Sequence, residues 1–97
     1  MEYPIEVTLQ RPVTVDGETI DKLVFDEPDL GTMIAVEEED TLARQTVALL
    51  AGMAGIDRDV LLKVKGSDYA KIRQQVVDPY HESLDAGSDA GNGNAAK

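Results

Sequence analysis

The 97-residue sequence predicts an α+β fold: an N-terminal antiparallel β-hairpin followed by three to four short packed α-helices and a disordered C-terminal tail. Three observations predict it. Apolar and polar residues alternate on both sides of an Asp16-Gly17 pair, the signature of two half-buried strands joined by a tight turn. After Pro28 the apolar residues move to helical spacing, and a capping residue precedes each run. From Ser83 onward no side chain is larger than Leu84, too little apolar surface to offset the entropy of ordering.

The hairpin spans about 4–26. Ile5-Glu6-Val7-Thr8-Leu9 alternates, and Val13-Thr14-Val15 continues the pattern to the turn. Asp16-Gly17 suits the positive-φ positions of a type I′ turn. Glu18 through Phe25 returns, with Ile20, Leu23, Val24 and Phe25 as its apolar residues. An unbroken register would pair Leu9 with Val24 and put Leu23 and Phe25 on the face opposite Val7 and Leu9. A one-residue bulge near Arg11-Pro12 repairs this, because Pro12 has no N–H to give a ladder. With it, Leu9 faces Leu23 and Val7 faces Phe25.

Pro28 ends the sheet, and Asp29 caps a helix over 29–38 with Leu30, Met33 and Ile34 as its apolar stripe. The acids Glu37, Glu38, Glu39 and Asp40 suit the N-terminus of the next helix better than the C-terminus of this one. Asp40 or Thr41 caps that next helix, 41–53, whose Leu42, Ala43, Val47, Leu49, Leu50 and Met53 make it the most buried element. Gly52 and Gly55 break it. Asp57 caps a third helix, 57–64, which Gly66 stops. Ser67 or Asp68 caps a fourth, 68–77, where Tyr69, Ile72, Val76 and Tyr80 form a narrow stripe; Asp78-Pro79 marks its end. The single α+β domain is therefore 1–82, and 83–97 is the tail.

Charge placement narrows function. The net charge is -10. Residues 1–40 hold twelve acids and two bases, Arg11 and Lys22, whereas 41–97 hold seven of each. Nucleic-acid binding needs a basic footprint, which is missing, and an anionic membrane would repel the N-terminal half. No apolar run approaches the ~20 residues that span a bilayer. With no cysteine and no basic, apolar leader at the N-terminus, the expected location is the cytoplasm.

The residues that carry chemistry are sparse, and the sequence predicts no enzyme, no catalytic residue, no cofactor and no metal site. His81 is the single histidine and falls at the edge of the last predicted helix, where a solvated side chain is the reading. The run Glu37 to Asp40 is contiguous, whereas calcium loops space their ligands around a glycine turn; it reads as a solvated acidic patch. Gly52-Met53-Ala54-Gly55 follows a helix, so it is neither a phosphate loop nor a dinucleotide fingerprint. A lone hairpin with thin-striped helices rarely buries all its apolar surface, so part of that surface is left for a partner. The candidate partner-binding residues are Met33, Leu49, Met53, Ile72, Val76 and Tyr80.

Residues 5–31, I-E-V-T-L-Q-R-P-V-T-V-D-G-E-T-I-D-K-L-V-F-D-E-P-D-L-G, resemble the opening of the small tail assembly chaperones of Mu-like contractile-tailed phages and related prophages. That family's opening is an alternating strand, an R-P step, a D-G-E turn and a second strand ending in E-P, then a helix. Leu42 to Asp57, L-A-R-Q-T-V-A-L-L-A-G-M-A-G-I-D, is similar to its middle helix and small-residue turn, and Ser67-Asp68-Tyr69 to the start of its last helix. The resemblance covers about residues 4–80. It implies a non-catalytic chaperone that binds helical segments of the long tape measure protein and keeps it soluble for tail-tube assembly. It further implies a translational frameshift near Ala95-Ala96-Lys97 whose longer product recruits the tail tube protein. A short acidic tail and the lack of an aromatic pair closing the last helix depart from the family pattern. Self-association as a homo-oligomer, an acidic inhibitor or DNA mimic binding a basic enzyme, and a small structural tail subunit are the other readings.

Overall fold

A computed structural model describes the backbone of residues 2–91 and the side chains of residues 2–84. Of the tail expected over 83–97, residues 83–91 continue the backbone of the last helix, and 92–97 lie outside the described residues. The hairpin is β1, Ile5–Val15, and β2, Glu18–Phe25, paired antiparallel. Asp16 and Gly17 take φ of 53° and 80°, the two left-handed positions a type I′ turn requires.

The bulge lies where the sequence places it, but it is larger. Thr8 pairs with Lys22 and Val13 with Ile20, so residues 9–12 stand opposite Asp21 alone. Three residues are extra rather than one. An odd number restores the same facing, so Val7, Leu9, Leu23 and Phe25 share one buried face. The consequence for pairing is that Val7 faces Leu23 and Ile5 faces Phe25. The larger excursion has a cause in a distant contact: the N–H groups of Gln10 and Arg11 turn away from β2 to an acceptor on α4.

Five helices follow: α1, Leu30–Glu37; α2, Leu42–Ala54; α3, Arg58–Leu62; α4, Gly66–Ile72; and α5, Asp78–Gly91. Asp29 caps α1, its carboxylate accepting the Thr32 N–H at 2.8 Å, and Thr41 caps α2 by accepting the Arg44 N–H at 3.2 Å. Gly55 closes α2 at φ 66°. An L-residue there pays a steric cost between its Cβ and the following carbonyl, so Gly55→Ala is expected to lose about 1 kcal/mol of stability, read as a lower denaturant midpoint at unchanged slope.

Three expectations are corrected. Gly66 opens α4 instead of only stopping α3, with Lys65 at the cap position. Asp78-Pro79 does not end the last helix: α4 passes through a π-helical turn, Arg73–Val77, directly into α5. The Asp78 N–H bonds to the Arg73 carbonyl in that turn. A widened turn relieves the crowding that a proline ring imposes on the preceding turn, so the helix continues past Pro79. The third concerns α1. Its buried residue is Thr32, while Leu30, Met33 and Ile34 face outward.

One apolar cluster unites the molecule. The hairpin face of Val7, Leu9, Val13, Leu23 and Phe25 is covered by Leu50 and Met53 of α2 and by Ile72, Val76 and Val77 of the last helix. α2 has five buried residues, Ala48 to Ala51 and Met53, although Leu42 at its start is exposed. The Asp26 N–H donates to the Met53 carbonyl at 2.9 Å, fixing the end of β2 to α2. α1 packs against α2.

Candidate functional site

α1 comes close to α2 because of one glycine. A Cβ built at Gly52 would lie 2.8 Å from Thr32 Cβ and nearer still to Thr32 Oγ1 and Cγ2. Thr32 thus occupies the space a side chain at 52 would need. That contact sets the rotation of α1 and turns its apolar stripe outward.

A second anchor sets the last helix. Asp68, in the first turn of α4, is fully buried. Its Oδ1 accepts the Gln10 N–H and its Oδ2 the Arg11 N–H, each at 2.9 Å. Lys71 adds its Nζ 3.7 Å from Asp68 Oδ1 and donates to the Thr8 carbonyl at 2.6 Å. The Gln10 and Arg11 N–H groups hold the Asp68 carboxyl below the usual carboxylate range, with Lys71 adding to them and burial opposing. These bonds lock the bulge to α4. Pairing at that carboxylate was legible from neither segment alone, though a bulge leaves orphan N–H groups and an acid in a helix's first turn is the natural acceptor.

Between these anchored elements, α5 runs beside α1 and α2 with little close backbone contact, and a groove is left. Its walls are Met33 and Val36 of α1, Leu42 and Leu49 of α2, and Tyr80 and Leu84 of α5. Leu42 is 73% exposed, Leu84 43% and Met33 39%, while Leu49 forms the floor at 4%. Glu37, Gln45, Thr46 and His81 complete the lining. A second depression shares Met33, Tyr80 and Leu84 and continues past Tyr3, Glu27 and Pro28. Burial pushes the Tyr3 phenol above its ordinary range, with Glu27, Tyr80 and Asp26 adding to the shift.

The six candidate partner-binding residues separate in the structure. Met33, Leu49 and Tyr80 meet in the groove. Met53, Ile72 and Val76 are core residues, at 3%, 0% and 0% exposure, and in this fold present no surface to a partner. Sequence spacing alone could not separate the two groups, since both consist of apolar residues at helical intervals. Leu42 and Leu84 were missed as site residues because each looks like core filler or tail until α5 is seen to continue.

The acidic patch joins α1 to α2. Glu39 accepts a 2.6 Å bond from Arg58 Nη1, and its carbonyl accepts from Gln45 Nε2 at 3.2 Å. Glu37, Glu38 and Asp40 are exposed, with Glu37 on the groove. His81 is exposed and meets the Tyr80 ring edge-on at 5.8 Å. Among the described residues no three acids or histidines converge on a point, and no helix is long and apolar enough to cross a membrane.

The arrangement is suited to holding an apolar segment at an acidic-rimmed surface. Comparison with curated proteins and with solved structures gave no match. Comparison with family profiles matched residues 6–78 to the family described as phage tail assembly chaperone proteins, E, or 41 or 14. That span contains the hairpin from its second residue, the bulge, α1 to α4 and the π turn. The chain belongs to the phage tail assembly chaperone family.

Proposed function

We propose that this chaperone binds helical segments of a tape measure protein in the groove between α1, α2 and α5, and keeps that protein soluble until the tail tube assembles around it. The observation that carries the reading is the groove itself, where the exposed Met33, Leu42 and Leu84 converge from three helices over the buried Leu49. Exposed apolar patches flanked by polar residues mark interaction surfaces, and a groove between helices accepts an amphipathic helix through anchors at i, i+3, i+4 and i+7. The host cytoplasm as the place of action, and a longer frameshifted product that engages the tube protein, belong to the same reading.

Co-expression with fragments of a candidate tape measure protein tests it. The wild-type chain is expected to solubilise and co-purify with at least one fragment. Leu42→Asp combined with Leu84→Asp changes two exposed side chains and is expected to leave the thermal midpoint within about 2 °C while reducing recovered fragment at least tenfold. If no fragment is held by the wild type, the reading fails. If the double variant holds it equally well, the groove is not the binding surface.

A further inference from the structure

Resting on that reading of the groove, we infer that its occupant is a short amphipathic helix carrying Lys or Arg at both ends, and not a second copy of this chain. The two depressions share Met33, Tyr80 and Leu84 and so form one trough running beside α1. Its volumes, ≈ 200 Å³ and ≈ 350 Å³, receive side chains rather than a main chain. The walls are largely helices, whose backbone groups bond internally and give an extended strand nothing to pair with. A helix lying over the trough brings its own backbone bonds and needs only side-chain pockets.

Length and charge define the rest. α1 is eight residues long, roughly 12 Å, so the trough accommodates about two to three turns of a partner helix. Each depression carries one carboxylate, Glu27 in the one lined by Tyr3 and Pro28, and Glu37 in the one lined by Leu42, Gln45 and His81. Glu38, Asp40 and Glu82 add exposed negative charge nearby. A partner with basic residues roughly 8 to 11 positions apart places one cation in each depression. Two copies of a chain of net charge -10 would instead bring like charges together across an apolar seam, which opposes docking.

The test uses the full chain and three synthetic helical peptides of about 14 residues. All share one leucine stripe and differ in having Lys, Gln or Glu at both ends. Fluorescence anisotropy is expected to rank them Lys over Gln over Glu, with about tenfold between neighbours at low salt and less at high salt. Glu27→Gln with Glu37→Gln, both at exposed positions, is expected to abolish most of that ranking and keep binding of the Gln-ended peptide. Equal binding of all three peptides, or a ranking that survives in the double variant, overturns the inference. So does a sedimenting dimer that Leu42→Asp dissociates. The peptides contain no tape measure sequence, so their ranking stands even where no tape measure fragment binds. A fragment that binds regardless of Glu27 and Glu37 overturns the inference and leaves the function intact.

Discussion

Asp68→Ala is expected to lower the thermal midpoint by more than about 10 °C, because it strips the Gln10 and Arg11 N–H groups of their acceptor inside the fold. Neither donor has a place in the hairpin ladder, since residues 9–12 stand opposite a single residue of β2. Asp68→Asn keeps one carbonyl acceptor but points an amide donor at the second N–H, so it is expected to fall between wild type and alanine. The charge matters as well as the shape. Asp68 titrates below its ordinary value because its ionised form accepts two N–H bonds, and Asp29 does so because it accepts the Thr32 N–H and side-chain bonds. A depressed carboxyl contributes stability that is complete above its unfolded pKa and lost as pH falls through the folded one. Denaturant midpoints are therefore expected to hold from neutral pH to about pH 5 and to fall below roughly pH 4. In Asp68→Asn the acid-dependent part should shrink. An Asp68→Ala protein as stable as wild type at pH 7 would mean that water replaces the carboxylate at the bulge.

Gly52→Val is expected to cost about 3 kcal/mol, with Gly52→Ala costing less because alanine's better helix propensity offsets roughly 1 kcal/mol of the clash. The cause is local. Thr32 is 9% exposed and already fills the space into which a Cβ at 52 would project. Relief requires α1 to move off α2, since the obstructing atoms include Thr32 Cβ and not merely a flexible tip. Thr32→Ala removes two of the three obstructing atoms, so in that background Gly52→Ala should cost measurably less; the double-mutant cycle isolates the contact. Additive costs would show that the contact is not what destabilises the variant. The effect reaches function through position. α1 supplies Met33 and Val36 to one wall of the groove, so Gly52→Ala is expected to weaken capture of tape measure fragments at temperatures where the protein is still folded.

What was legible in the sequence was whatever a few neighbouring residues decide among themselves. Asp16-Gly17 specifies its turn by needing positive φ at both positions, and Asp29 and Thr41 cap their helices through N–H groups three residues ahead. The bulge was readable too, because the parity of the two strands cannot be reconciled without one. Its size was not, since that depends on Asp68, 57 residues from Arg11. The outward stripe of α1 was misread for the same kind of reason. Leu30, Met33 and Ile34 have core composition at core spacing, and only the missing side chain of Gly52 decides that Thr32 goes inward. At Asp78-Pro79 a sound local rule lost to a tertiary demand: the helix carries apolar residues on both sides of the proline, and a single widened turn keeps them continuous. The groove was foreseen as surplus apolar surface but not located, because its walls come from three helices whose mutual rotation those distant contacts set.

The widened turn at Arg73–Val77 also acts as a phase offset. One extra residue in a turn rotates all that follows by roughly 100° relative to a uniform helix. Ahead of it Ile72, and within it Val76 and Val77, are committed to the core; beyond it Tyr80 and Leu84 are delivered to the groove. Aliphatic substitution ahead of the offset is thus screened by folding, and substitution beyond it by what the groove holds. A one-residue deletion within 73–77 would cancel the offset, so that Ile72 could no longer face the core while Leu84 faces the groove. Core and grip would then compete for a single helical phase.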